Sequence, residues 1–450
     1  MSRTASRIAA GSCVALVAAF AVGVFVSNSA LAATFTVTTD ADSGAGSLRA
    51  AIASVNSAGG TNTIDFESSL TGTITLTTGE LALTGSQTVT ITGNGAANTV
   101  IDGNAADRVF EVASGVTLNL SGVTVQNGLG TASNGYDGAG IRVDGDLSLS
   151  DSVVNGNSAG ANGQGGGIAN DGVGTVTITD TTVSDNTTPG ASGAGAALNS
   201  AGTLDIVDST FAGNYTGSNR GGAILAEAGT VNITDSTFND NSGVGGAIST
   251  FNDDGSVNII DSTLASNPSD SAGDDILIAG GDTAVTVTGS ILTSHGGSSQ
   301  SCSAPVTDGG FNMDDGTSCG FSAASDHSNT GPNLAPLASN GGPTQTMALD
   351  PSSPAIDAGQ SGAACTSVNG GLDQRGFQRP DVAGTACDIG AYESGAAAPT
   401  PTPAATVPVP ATGAMTGSTP VSAWVILGIF GIAALLLILA ALPARQRRPL

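Results

Sequence analysis

The chain has 450 residues, of which 37 are Asp or Glu and 11 are Lys or Arg; all eleven cations are arginine, and the net charge is −26. Arg3 and Arg7 open the chain and Arg445, Arg447 and Arg448 close it, so the body between is strongly acidic, which excludes a phosphate-tracking nucleic-acid binder and a protein lying on anionic lipid. Glycine, at 66 residues, is about twice its usual share but shows no three-residue period, and alternating aliphatics run through most of the chain, so neither collagen nor disorder fits.

Arg3 and Arg7 precede an apolar stretch over 8–26 and then Ala30-Leu31-Ala32. This is the layout of a secretory signal peptide over 1–32, with cleavage between Ala32 and Ala33. The length of the apolar run supports the other reading, an uncleaved anchor. Cys13 is not a lipoprotein cysteine, because too little apolar sequence lies ahead of it. Segment 33–70 reads as an N-terminal strand and helix cap. Leu48, Ala51, Ile52 and Val55 share one face at helical spacing, and Ser47 stands before them as an N-cap.

Residues 71–300 are repetitive. Asp151, Asp180, Asp208, Asp235 and Asp261 start segments separated by 29, 28, 27 and 26 residues, and Gly93, Gly122 and Gly289 extend the series. Each unit carries an apolar residue with Asn three positions later (Val154/Asn157, Phe211/Asn214), a small-residue run ending in an aliphatic (Gly166-Gly167-Ile168), and an alternating strand such as Thr175-Val176-Thr177-Ile178. Three short period-2 runs per unit with no helical pattern between them are the signature of a parallel β-helix, in which each unit is one coil stacked on the next. The expected hand is right. Eight or nine coils would span roughly 40 Å at about 4.8 Å per rung. The fold class is therefore all-β: a right-handed parallel β-helix solenoid with an N-terminal capping helix, a small C-terminal block and a transmembrane helix.

Segment 301–393 is a block with Asn340-Gly-Gly-Pro-Thr344, Ser353-Pro-Ala-Ile-Asp-Ala-Gly359, Asp373-Gln-Arg-Gly-Phe377 and Cys387-Asp-Ile-Gly-Ala-Tyr-Glu393 in order. The proline-, alanine- and threonine-rich stretch 394–420 is an extended spacer. Segment 421–443, uncharged over 421–442, is long enough to cross a bilayer. The basic tail 444–450 places the C-terminus in the cytoplasm, and Trp424 marks the outer interface. Val409-Pro410-Ala411-Thr412-Gly413 resembles the Leu-Pro-X-Thr-Gly sorting signal of sortase substrates, which implies cleavage between Thr412 and Gly413 and cell-wall attachment. Retention by the membrane helix alone is the other reading.

The 33–66 segment resembles the N-terminal segment of secreted bacterial right-handed β-helix proteins, and the repeat marks resemble those of polymorphic outer-membrane-protein repeats. The block motifs resemble the choice-of-anchor Q family of bacterial surface proteins, which join such a body to interchangeable C-terminal anchors.

Cys302, Cys319, Cys365 and Cys387 follow the signal segment. An even count in an exported chain reads as disulfides, and of the three pairings 302–319 with 365–387 is favoured, closing loops of about 17 and 22 residues worth about 3 kcal/mol each. The aligned aspartates read as solvated turn residues hydrogen-bonding nearby backbone, with calcium binding at Asp151, Asp180, Asp208, Asp235 and Asp261 as the weaker alternative. The aligned asparagines read as a structural ladder inside the coils. Arg375 and Arg379 read as internal partners of nearby aspartates, the sharper alternative being a clamp on a ligand carboxylate.

No catalytic residue and no required cofactor emerge. Arg108, Arg142 and Arg220 are the cations within the coils, and aromatics for stacking sugars are few. The expected protein is exported, anchored at the cell surface, adhesin-like or in contact with glycan or matrix, and not an enzyme. Its partners would be the membrane through the C-terminal helix, the cell wall, and a glycan or surface protein, with no nucleic acid. A surface polysaccharide lyase or glycoside hydrolase is the alternative, and a purely structural envelope protein the third reading.

Overall fold

The computed structural model describes residues 32–396, apart from 161–162, 191–194, 196–197, 252–254, 271–272, 280–283 and 298–299. The expected signal peptide, spacer, sorting site at Thr412 and Gly413, and membrane helix lie outside the described residues. Among the described residues, no helix is long and apolar enough to cross a membrane.

The body is a parallel β-solenoid of about nine turns, of the right-handed type that parallel crossovers favour. Its coils stack into three long faces. The first has eleven strands, from Ala33–Val37 to Thr307–Asp308; the second has eleven, from Gly72–Thr75 to His327–Ser328; the third has eight, from Leu81–Leu83 to Ile276–Ile278. A small three-stranded sheet, Thr187–Thr188, Tyr215–Arg220 and Ser242–Val244, lies between the second and third faces in chain order. The ladders thus begin inside the 33–70 segment and run on into the 301–393 segment.

Alternation explains the core. On the first face Val89, Leu118, Leu147, Val176, Leu204, Val231, Val257 and Val285 are aligned in register and point inward, all of them buried. Side chains of the same kind therefore meet their counterparts above and below at one strand spacing, about 4.8 Å. Phe211 and Phe238 stack in this way on the second face, with centroids 4.8 Å apart and rings 10° from parallel. The stripe expected for the cap is the one observed: helix Leu48–Ala58 buries Leu48, Ala51, Ile52 and Val55, and Ser47 Oγ accepts from Ala50 N at 3.2 Å. Arg49 ties this helix to the first coil, donating to Asp42 at 2.8 and 2.9 Å and to the carbonyls of Gly79 and Glu80 at 2.6 and 2.7 Å.

Buried polar ladders hold the turns. Asn157, Asn186, Asn214, Asn241 and Asn267 are fully buried, and each Nδ2 donates to the Oδ1 of the next at 2.8–3.1 Å. The run ends with Asn267 Nδ2 donating to Asp275 Oδ1 at 2.9 Å. Asp275 is itself fully buried, and that burial pushes its carboxyl well above the usual range. A second ladder, absent from the sequence reading, runs through Ser152, Thr181, Ser209, Ser236, Ser262 and Ser290. Each hydroxyl accepts a backbone N–H from the preceding coil at 3.1–3.4 Å and donates to the carbonyl two residues before it at 2.6–2.9 Å.

Both disulfides form, Cys302–Cys319 and Cys365–Cys387. The first pins the last coil, where both cysteines join the main core; the second staples the C-terminal block.

Candidate functional site

Between the first and second faces most coils make a tight corner with a residue at positive φ, though Gly93 in the same series does not. Asp151, Asp180, Asp208, Asp235 and Asp261 occupy it with φ between 44° and 52°, and Gly122 and Gly289 occupy the same place at 65° and 61°. Asp and Gly interchange here because both tolerate the left-handed region. All five sit at turns, but neither the expected solvation nor the expected hydrogen bonding to nearby backbone holds along the column, since Asp208 and Asp235 accept from Asn369 Nδ2 and Arg379 Nη2 instead. Asp151 is exposed, Asp180 and Asp208 are half-buried, and Asp235 and Asp261 are buried.

The physical reason is the C-terminal block, which folds back onto the second face. Arg379, 1% exposed, extends into the column and sets its Nη2 2.9 Å from Asp235 Oδ1, while donating to the carbonyls of Asp388 at 3.2 Å and Gly390 at 2.6 Å. Its Nη1 lies 3.5 Å from Glu393 Oε2. At the buried end of the column the guanidinium thus meets Asp235 directly and attracts Asp261 and Asp208 at longer range. Among the described residues no group of three or more His, Cys, Asp or Glu side chains is placed to hold a metal ion.

Burial dominates the electrostatics of the column. It raises Asp180 to about 6, helped by the Asp151 charge, and Asp208 to about 7 against the opposing hydrogen bond from Asn369. Burial raises Asp261 to about 6 against the attraction of Arg379. Asp235, fully enclosed, is pushed well above the carboxylate range for the same reason, and Glu393 rises to about 7 through burial and the nearby Asp388 charge.

The block motifs are its docking residues. Gln374 is buried against the second face, where Thr237 Oγ1 donates to its Oε1 at 2.5 Å and its Nε2 donates to Thr210 Oγ1 at 3.0 Å. Thr344 Oγ1 donates to the Asp208 carbonyl at 2.9 Å, and Asn369 Nδ2 to Asp208 Oδ1 at 2.8 Å. Gly390 N donates to the Gly289 carbonyl at 2.8 Å, an approach that a Cβ would block, since it would stand 2.7 Å from Thr263 Oγ1. Arg375 pairs with Asp373 at 2.6 Å and lies between the rings of Phe377 and Tyr392, 4.1 and 3.6 Å from their centroids. Both arginines pair internally.

A second cluster, not assembled by the sequence reading, lies on the third face. Arg108 is buried and pairs with Glu80 at 2.8 Å. Arg142 lies among Glu111, Asp144 and Asp171 at 3.6, 3.1 and 3.0 Å. Glu80 is raised by burial, against the Arg108 charge, and further by a hydrogen bond with Glu111. Aligning the repeats carries the signal, because Glu111 and Arg142 are direct cross-strand partners.

The outward side of the first face is different in kind. Thr63, Thr90, Asn119, Ser148, Thr177, Asp205, Asn232, Asn258 and Thr286 form one aligned row along its length. These residues are half-buried to exposed, and hydrogen bonds from the docked block reach the second face and its corners instead. One flank therefore presents an aligned array made up mainly of hydroxyls and amides, with Asp205 its one carboxylate, while the ion pairs of Arg379 and Arg142 lie at the second and third faces.

Neither a protein-family model nor a curated protein sequence matches the chain. Among solved structures it is similar to the crystal structure of pectate lyase Pel9A. The superposition has a TM-score of 0.42 at 17% identity and covers 80% of this chain and 96% of the lyase chain.

Proposed function

We propose that this chain is an exported surface protein of the choice-of-anchor Q kind, whose β-helix body contacts a neutral glycan or a surface protein without catalysis. The aligned Thr, Ser and Asn row on the first face carries this reading. A rigid parallel ladder repeats the same hydrogen-bonding groups at one strand spacing, and a repetitive polymer is the partner that can use such an array many times over. The export reading rests on the 1–32 segment, and the anchor on the spacer 394–420, the apolar segment 421–443 and the tail 444–450. Display off a membrane suits a protein with one open flank.

The alternative, a polysaccharide-degrading enzyme, would draw its two carboxylates from adjacent coils, as Glu80 and Glu111 are, but a hydrogen-bonded pair stands closer than the roughly 5–9.5 Å that a glycoside hydrolase uses. Against it, Arg108 engages Glu80 and Arg142 engages Glu111. The third reading, a purely structural envelope protein, needs no partner at all. One experiment separates the three. The purified full chain is run through gels containing neutral or acidic polysaccharides, with and without calcium, and the eluate is assayed for reducing and unsaturated ends. Retention that is lost when Thr90, Ser148 and Thr177 are all changed to Tyr supports the contact reading. Product release abolished by Glu80→Gln supports the enzyme. Neither result leaves the structural role.

A further inference from the structure

Each strand of the first face turns alternate residues outward, so its outer side is a grid and not a single row. Thr88, Thr90 and Thr92 stand side by side on one rung, and Thr175, Thr177 and Thr179 on another. The rungs pair in unbroken register from Gly60–Phe66 to Ala284–Thr288. The grid therefore repeats at about 4.8 Å from rung to rung and about 6.6 Å between successive outward residues of one strand. Any parallel solenoid shares those spacings; the side chains that stand on them are particular to this face. Threonine fills more of the outward positions than any other residue, and none of them holds Lys, Arg, Phe, Tyr or Trp.

The grid is also held in place. Threonine is stiff at χ1 because it is β-branched. Asn258 Nδ2 donates to Asn232 Oδ1 at 2.9 Å, Asn232 Nδ2 to Asp205 Oδ1 at 2.8 Å, and Ser256 Oγ to Thr230 Oγ1 at 3.3 Å. Asp146 accepts from Thr175 N at 2.9 Å, so this carboxylate and Asp205 are engaged within the grid. Sheets of many strands twist unless side-chain ladders keep the rungs in line. The inward aliphatic rows and the Asn and hydroxyl ladders supply them here.

A polymer chain uses one row of such a surface, whereas the whole grid fits a partner that is periodic in two directions. Each threonine hydroxyl both donates to and accepts from water, and each methyl orders the water around it. The oxygen repeats on the prism faces of hexagonal ice are close to both grid spacings. The second and third faces have the same rung spacing but not the same surface: the docked block covers Thr210, Thr237 and Thr263 on one, and Arg142 with its carboxylates lines the other.

We propose that the outer side of the first face binds ice, its threonine rungs holding a layer of water in the spacing of the crystal. The flank is the one that carries the contact function proposed above, but the partner is a different one, and the two are tested apart.

Ice is grown slowly in a solution of the purified full chain, the protein in the ice and in the remaining liquid is assayed, and the gap between melting and freezing points is measured. Enrichment in the ice and a gap absent from the buffer blank are expected. Changing Thr88 and Thr175 together to Tyr should abolish both, because rings standing off the grid keep the water layer from the lattice. Changing the same pair to Ser removes only the methyls and should shrink the gap, with thermal melts showing that the fold is kept. Thr182→Tyr, outward on the second face, should leave both signals as in the parent. No enrichment and no gap, a gap unchanged in the Tyr pair, or a gap lost equally in Thr182→Tyr would each overturn the proposal. Polymer retention by a chain that ice rejects would leave the contact function standing and remove this one; capture by ice without polymer retention would do the reverse.

Discussion

Arg379 and Asp235 are 144 residues apart in the chain, yet their side chains meet at 2.9 Å with both fully enclosed. Breaking one partner of such a pair leaves the other charge buried, at a cost of about 3–5 kcal/mol. Arg379→Met should therefore lower the denaturation midpoint sharply at pH 8 and expose the 340–393 segment to protease. At pH 5 the loss should shrink, because Asp235 and Asp261 can then take up protons. Adding Asp235→Asn to Arg379→Met should restore part of the midpoint, and a double-mutant cycle measures the coupling.

The same groups set a pH dependence. Asp180 and Asp261 stand at about 6 and Asp208 and Glu393 at about 7, against about 4 in the unfolded chain. Between those values the folded state holds more protons than the unfolded one, so their contribution is fully present below about pH 4 and is lost as pH rises through 6 to 7. Asp42 and Asp308 act oppositely. Although burial raises them, hydrogen bonds bring both down to about 2, so their contribution is present above about pH 4 and lost as pH falls toward 2. Thermal melts across pH 2–9 should show a maximum in the mildly acidic range. Asp208→Asn should flatten the alkaline limb. A maximum at pH 8 would contradict this balance.

What was legible in the sequence was what repeats. Period-2 runs at a 26–29-residue spacing gave the coils, because inward rows such as Val176, Leu204 and Val231 recur wherever strands stack. The cap helix was legible from its apolar stripe, and the Asn ladder from its fixed offset. The hydroxyl ladder was available at an equally fixed offset, the residue after each aspartate, but serine and threonine are too common in turns to stand out. The fold-back of the block was not legible. Gln374 meets Thr210 and Arg379 meets Asp235 once each, across more than 140 residues, and a contact made once leaves no period to detect. The burial of Asp235 and Asp261 follows from that docking, so a solvated column was the natural local expectation.

Asn214 tests the ladder. Its Nδ2 donates to the Val183 carbonyl at 2.9 Å and to Asn241 Oδ1 at 2.8 Å, and its Oδ1 accepts from Asn186 N at 3.0 Å and Asn186 Nδ2 at 3.1 Å. Asn214→Ala leaves several buried groups unsatisfied at about 1–3 kcal/mol each. Asn214→Asp replaces the donor with an oxygen facing two acceptors and should be the worse of the two. Hydrogen exchange should show lost protection at Asn186 N in both variants, with coils farther away less affected.

The corner aspartates separate backbone from charge. At Asp151, exposed and at φ 50°, glycine should be accepted within about 0.5 kcal/mol, as Gly122 and Gly289 already show at equivalent corners. Asp151→Val should cost about 1–2 kcal/mol, since a β-branched residue is forced into the left-handed region. Asp235→Gly keeps the backbone just as comfortable but strips Arg379 of its closest carboxylate, so it should cost about 3 kcal/mol or more. Chemical denaturation of the three variants decides the matter. Equal effects of glycine at 151 and 235 would mean that the buried pair contributes nothing beyond its turn, whereas a silent 151 and a damaging 235 would assign the difference to the guanidinium brought in by the folded-back block.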